Sequence, residues 1–198
     1  MNQTVLDILT ESLAVKEQSI KNNIDLIVKA ADMLAACITT DNKILIFGNG
    51  GSAADAQHIA AEFVNRFQIE RPPLAAIALT TDTSIITSIA NDYNFDDIFT
   101  KQIRALGQKD DIAIGISTSG NSRNVIQAVK AAQTTGITTI ALTGRGGELA
   151  QLADLVFKVE SDITARIQET HILIAHILCD LVDRILFPDK FQEMSTLP

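Results

Sequence analysis

The sequence predicts an α/β protein: a parallel five-stranded sheet flanked by helices, with a helical arm at the amino end. Two observations predict it. Five short apolar runs rich in β-branched residues alternate with segments of helical periodicity, the pattern of strands joined by crossover helices. The first and third runs also end in loops of small residues, where an open parallel sheet places its ligands.

The elements follow in order. From Asn2 to Thr39 apolar residues recur at helical spacing (Val5, Ile8, Leu9, Leu13, Ile20, Ile24, Ile27, Leu34), giving one long helix or two consecutive ones. Such an arm packs either on a partner subunit or on its own domain. Lys43-Ile44-Leu45-Ile46-Phe47 is the first strand, closed by Gly48. The other strand-like runs are Leu74 to Leu79, Asp111 to Ile116, Thr138 to Leu142 and Leu155 to Val159. Helix-like segments between them are Ala53 to Phe67, Ser84 to Asn91, Phe95 to Leu106, Arg123 to Thr134 and Gly147 to Ala153. Right-handed crossovers are expected. A last helix, Thr164 to Leu186, ends before Pro188, which cannot continue it.

The bulk composition narrows the class. A chain of 198 residues suits one domain, here an arm (1–40) followed by an α/β core and C-terminal helix (41–198). The net charge of −8 argues against general nucleic-acid binding, so an anion site must be local and preorganised. Cys37 and Cys179 both sit in apolar helical stretches and read as free buried thiols. No signal peptide pattern opens the chain and no segment reaches the length of a membrane span, which makes a cytoplasmic protein without a membrane partner the expectation.

Ser117-Thr118-Ser119-Gly120-Asn121-Ser122 opens the helix at Arg123 and carries four hydroxyls in six residues. The free amides of a helix start, with hydroxyl donors beside them, hold a phosphate without a lysine. A capped turn needs only one such serine, and Ser122 is placed to be it. Gly48-Asn49-Gly50-Gly51-Ser52 is either a tight turn or a substrate loop. It matches neither the Walker nor the dinucleotide pattern.

Only three histidines occur. His58 and Glu62, at i and i+4, share a helix face, as a surface pair or a site. On the last helix, Gln168 and His176 are roughly 80° apart and His171 and His176 roughly 140° apart, so Gln168 and His176 can face one side. His176 lies among Ile172, Ile174, Ala175, Ile177 and Leu178, as a core histidine also would. Glu62 and His176 would suit an acid/base pair if the fold or a neighbouring subunit brings them together.

Together, Gly-Asn-Gly-Gly-Ser at 48–52, Asp55-Ala56-Gln57-His58 with Glu62, Asn91-Asp92, the serine loop, Leu142-Thr143-Gly144 and Ala165-Arg166-Ile167-Gln168-Glu169 resemble bacterial phosphoheptose isomerases of the sugar isomerase (SIS) domain superfamily, over nearly the whole chain. The resemblance implies a flavodoxin-like single SIS domain and a homotetramer with sites built between subunits. It implies conversion of sedoheptulose 7-phosphate to D-glycero-D-manno-heptose 7-phosphate for lipopolysaccharide heptose, with no organic cofactor. Ser117, Thr118, Ser119 and Ser122 would hold the phosphate. Asn49, Gly50, Gly51, Ser52, Asn91, Asp92 and Gln168 would line the pocket. Glu62 would be the base, also touching substrate, and His176 its acid/base partner. One zinc per subunit is implied, on His58, Glu62, Gln168 and His176. Eight residues span about 12 Å of helix, so Gln168 and His176 share an ion only at full reach or from different subunits. Ala165 stands where some family members carry aspartate, which argues against a third carboxylate. Replication-initiator-associating proteins of the same superfamily are similar too, through stretches like Asn65-Arg66-Phe67, Glu70-Arg71-Pro72 and Ala105-Leu106-Gly107. They are non-catalytic tetramers that lack acid/base residues at the positions of Glu62 and His176, both kept here. A SIS regulator that binds a sugar phosphate without turnover is a third reading.

Overall fold

The structure is a computed structural model that describes residues 1–195. Strands β1 (Ile44–Gly48), β2 (Ala76–Ala78), β3 (Ile112–Ser117), β4 (Thr138–Thr143) and β5 (Leu155–Lys158) form one parallel sheet in the order β2-β1-β3-β4-β5. Their apolar side chains alternate between faces, as the two-residue period requires. Ile44, Ile46, Ile112, Ile114, Ile140 and Phe157 point to one face, against helices α1 (Asn2–Thr39), α2 (Gly51–Val64) and α7 (Thr164–Leu186). Leu45, Phe47, Ala113 and Ala141 point to the other, against α4 (Ile98–Leu106) and α5 (Arg123–Thr134). Helices α3 (Thr83–Asp92), α6 (Leu149–Leu152) and α8 (Pro188–Ser195) complete the described chain.

The strand order reverses direction between β1 and β3. Their carboxyl ends therefore flank the crevice where doubly wound sheets bind ligands. The glycine loop follows β1 and the serine loop follows β3, so both motifs meet at this crevice.

Several boundaries differ from the sequence expectation for identifiable reasons. The amino arm is a single helix; its second half buries Ile27, Ala31 and Leu34, while Val5, Leu6, Ile8, Leu9 and Leu13 stay exposed. Helix α2 stops at Val64 rather than Phe67, because the carbonyls of Glu62, Phe63 and Asn65 turn to the Arg71 guanidinium. Phe95–Asp97 is a 3-10 turn leading into α4. Helix α6 is shorter than expected because Gly146 and Gly147 both have positive φ, at 157° and 89°. Pro188 ends α7 as expected but also opens α8, where its missing N–H leaves no intrahelical bond unmade. Cys37 and Cys179 are buried and free, and burial pushes their thiols up to about 11 and about 12. Among the described residues no helix is long and apolar enough to cross a membrane.

Candidate active site

The glycine and serine loops are held side by side by a reciprocal amide pair. Asn49 Nδ2 donates to Asn124 Oδ1 at 2.9 Å, and Asn124 Nδ2 donates to Asn49 Oδ1 at 2.8 Å. Asn124 Oδ1 also accepts from Val125 N at 2.9 Å. The sequence reading missed Asn124, although a buried-side asparagine in the first turn of a helix is a recognisable capping signal. Gly50 precedes α2 with φ +56°. A methyl group on Gly51 would overlap the Gln168 side-chain amide, so Gln168 packs directly on the glycine loop. Ser52 is buried, its β-carbon against Gly48. Asn91 and Asp92 end α3, exposed and joined by a 2.9 Å hydrogen bond. Neither lines the cavity of about 150 Å³ beside Asn49 and Gly50.

In the serine loop Ser117 Oγ donates to Ser122 Oγ at 3.0 Å, and Ser119 Oγ accepts from Asn121 N at 3.1 Å. Ser122 occupies the cap position of α5 but its hydroxyl makes no capping bond, contrary to the expectation that it serves as the cap. The hydroxyl is engaged with Ser117 instead. Gly120 must be glycine: its φ is +66° and a β-carbon would run into the backbone of Gly146 and Gly147. Thr118 and Ser119 line an open cavity of about 450 Å³ with Arg145, Ser161, Asp162 and Thr164. Arg145 is the one cation on that wall, held by Asp162 at 2.6 and 2.9 Å.

Helices α2 and α7 pack in parallel. Going down the pair, Gln168 meets Gly51, then His176 meets His58. The His176 and His58 rings stand edge to face, with centroids 5.0 Å apart. His58 Nε2 lies 3.1 Å from Glu62 Oε1 and 3.4 Å from His176 Nε2. One ligand atom from each of His58, Glu62 and His176 falls within 4.8 Å of the others. Burial holds the His176 imidazole below the ordinary histidine value; His58 pushes the same way and Glu62 opposes. His171, by contrast, is buried and binds the Thr143 carbonyl at 3.0 Å.

Gln168 is therefore not beside His58, Glu62 and His176 within one chain. It sits two turns up α7, against the loop that begins α2. The four expected metal ligands divide into three plus one.

A sequence model of the SIS domain matches residues 9–144. The phosphoheptose isomerase of Nitratidesulfovibrio vulgaris is 55% identical over 184 residues, covering 92% of this chain and 88% of that protein. That of Shewanella sp. strain ANA-3 is 54% identical over 197 residues, 98% of this chain and all of that one.

The chain belongs to the phosphoheptose isomerases of the SIS domain family. Solved members of the family superpose closely. The phosphoheptose isomerase GmhA from Neisseria gonorrhoeae gives a TM-score of 0.87 at 49% identity, over 92% of this chain and 98% of that one. The family's Francisella tularensis member gives 0.88 at 41% identity, over 92% and 97%.

Proposed function

We propose that the chain, as one SIS domain over residues 1–198, isomerises sedoheptulose 7-phosphate to D-glycero-D-manno-heptose 7-phosphate, a precursor of lipopolysaccharide heptose in the cytoplasm. The observation that carries this reading is the convergence of Glu62 and His176 in a member of this family. The Glu62 carboxylate takes a proton from C1 of the ketose, and the C2 oxygen gains one, which leaves an enediol. Return of a proton to C2 and loss of one from O1 give the aldehyde. His176, whose imidazole is held below the ordinary histidine value, carries protons between the two oxygens. Ser117, Thr118, Ser119, Ser122 and the start of α5 hold the phosphate. Asn49, Gly50, Gly51, Ser52 and Gln168 bound the sugar, whereas Asn91 and Asp92, exposed at the end of α3 and outside the cavity beside Asn49, reach it only if a substrate extends past that cavity.

Distance supports a shared site. Glu62 lies eleven residues beyond Gly51, about 16 Å along α2. An extended heptose phosphate spans about 10 Å from its carbonyl end to phosphorus at ordinary bond lengths. That mismatch favours a phosphate held at the serine loop of one copy with Glu62 and His176 supplied by another, as in a homotetramer. The exposed apolar face of α1 at Val5, Leu6, Leu9 and Leu13 offers surface for that assembly.

The donors also suit zinc. Two imidazole nitrogens and a carboxylate oxygen are its usual ligands, and bonds of 2.0–2.2 Å at tetrahedral angles put ligand atoms about 3.3 Å apart. The separations of 3.1 and 3.4 Å at His58 Nε2 match. Zinc would be held by His58, Glu62 and His176 of one chain, with Gln168 from another, and when bound would polarise a substrate oxygen. The deciding experiment is turnover of sedoheptulose 7-phosphate by the purified protein with and without a chelator. No turnover in either condition, nor after zinc is added back, sinks the proposal.

A further inference from the structure

Arg71 lies outside every catalytic, substrate-binding and metal motif above, yet its guanidinium is heavily bonded beside the histidine cluster. Its side chain is 1% exposed and that of its partner Asp183 is 2% exposed. Nε donates to Asp183 Oδ1 at 2.8 Å. Nη2 donates to the backbone carbonyl of Glu62 at 2.8 Å. Nη1 reaches the carbonyls of Phe63 at 2.7 Å, Pro72 at 3.1 Å and Asn65 at 3.3 Å. The planar fork thus closes the carboxyl end of α2, where carbonyls lack helical partners, and spans to α7.

The place of these contacts matters more than their number. One of the carbonyls belongs to Glu62 itself. Asp183 follows His176 by seven residues, two turns of helix, so the two lie on nearly the same face of α7. A single guanidinium therefore ties the backbone of one acid/base residue to the helix face of the other. A buried arginine usually persists only with its charge and donors satisfied, and Arg71 has both. Asp183 Oδ2 is left without a partner, so the carboxylate is held for its one bond to Arg71.

Building on the proposed isomerase, we infer that Arg71 is a positioning residue for the reaction: with Asp183 it sets the separation of Glu62 and His58 on α2 from His176 on α7. It touches neither substrate nor the reacting atoms. Lysine keeps the charge but cannot bridge four carbonyls and a carboxylate in one plane.

The test is steady-state kinetics of Arg71→Lys on sedoheptulose 7-phosphate, at a temperature where circular dichroism shows it folded, with a crystal structure of the variant. A misplacement near 1 Å lowers kcat by about 100-fold while KM stays within a few-fold of wild type. The control is Asp154→Ala, which removes the bonds to Thr139 at the opposite edge of the sheet and is expected to reduce melting temperature without lowering kcat. Unchanged kcat in Arg71→Lys, or a loss no greater than its unfolded fraction, overturns the inference. So does a variant structure with Glu62 and His176 at wild-type separation. Should Arg71→Lys not fold, Asp183→Ala is read by the same kcat criterion, because it frees α7 while α2 keeps its carbonyl bonds. Inactive wild-type protein would refute the isomerase reading instead, and the variant structure would still decide the role of Arg71.

Discussion

His176 Nε2 stands 3.4 Å from His58 Nε2, across the contact between two helices that are remote in sequence. Two imidazole nitrogens approach this closely when one donates a proton to the other, or when both face a shared cation. Glu62, 3.1 Å from the same His58 nitrogen, makes a third donor atom. Glu62→Gln keeps the size of the side chain and removes its basicity. It is expected to lower kcat by about 100- to 10,000-fold, the range for a lost general base. Calorimetry should still find sedoheptulose 7-phosphate bound. A normal kcat for this variant rejects Glu62 as the base.

The serine loop predicts the opposite kinetic signature. Ser119 is exposed and lines the larger cavity, with its hydroxyl accepting from Asn121 N at 3.1 Å and 3.4 Å from Ser117 Oγ. Ser119→Ala removes one hydrogen bond to a charged phosphate, worth about 1.5–3 kcal/mol. KM should rise tenfold or more with kcat little changed, and inorganic phosphate should weaken as a competitive inhibitor. An unchanged KM would remove Ser119 from the phosphate cradle.

The sheet and both loops were legible because each strand is a short apolar run and each loop is rich in residues with specific turn chemistry. The pairing of His58 with Glu62 followed from helical spacing. The approach of His176 did not, since it depends on the register of α2 against α7, which nothing local encodes. Arg71, quoted only within the Glu70-Arg71-Pro72 stretch, showed no role for a related reason: only the fold reveals the α2 carbonyls around it. The four-ligand metal set, carried by family resemblance, separates in space because Gln168 and His176 are two turns apart on one straight helix.

His171 predicts a pH dependence of stability. Burial lowers its pKa from 6.5 to about 4, with its bond to the Thr143 carbonyl opposing. The unfolded chain therefore binds a proton that the folded chain rejects between these values. Stability from this residue is complete above pH 6.5 and falls as pH drops toward 4, by about 3 kcal/mol in all. His171→Gln can still donate to Thr143 and does not titrate. Denaturant melts at pH 7 and pH 4.5 should show a smaller difference for this variant than for wild type. An equal difference would mean that His171 is not what loses stability in acid.

Gly51→Ala separates the substrate half of the site from the fold. Its β-carbon would meet the Gln168 amide, the end of a flexible side chain, rather than backbone. Gln168 should swing away at small cost, leaving the melting temperature within a few degrees while KM rises. Gly120→Ala meets backbone and a positive φ together, so it should destabilise the protein outright. Equal thermal losses in the two variants would contradict this distinction.

The strongest test of the shared site uses two inactive proteins. Glu62→Gln retains an intact serine loop but no base. Ser119→Asp retains the base but sets a carboxylate where the phosphate must sit. If one protomer held a complete site, every site in a mixture would carry one of the two lesions and activity would stay absent. If the loop of one copy works with Glu62 and His176 of another, co-expression in equal amounts assembles some sites from the two undamaged halves. Random association in a symmetric oligomer makes that about a quarter of all sites. Recovery of roughly a quarter of wild-type kcat per site, with each parent inactive alone, is the expected result. Activity that stays absent in the mixture, with both proteins folded and co-assembled, would put the whole site in one protomer and overturn the shared-site reading.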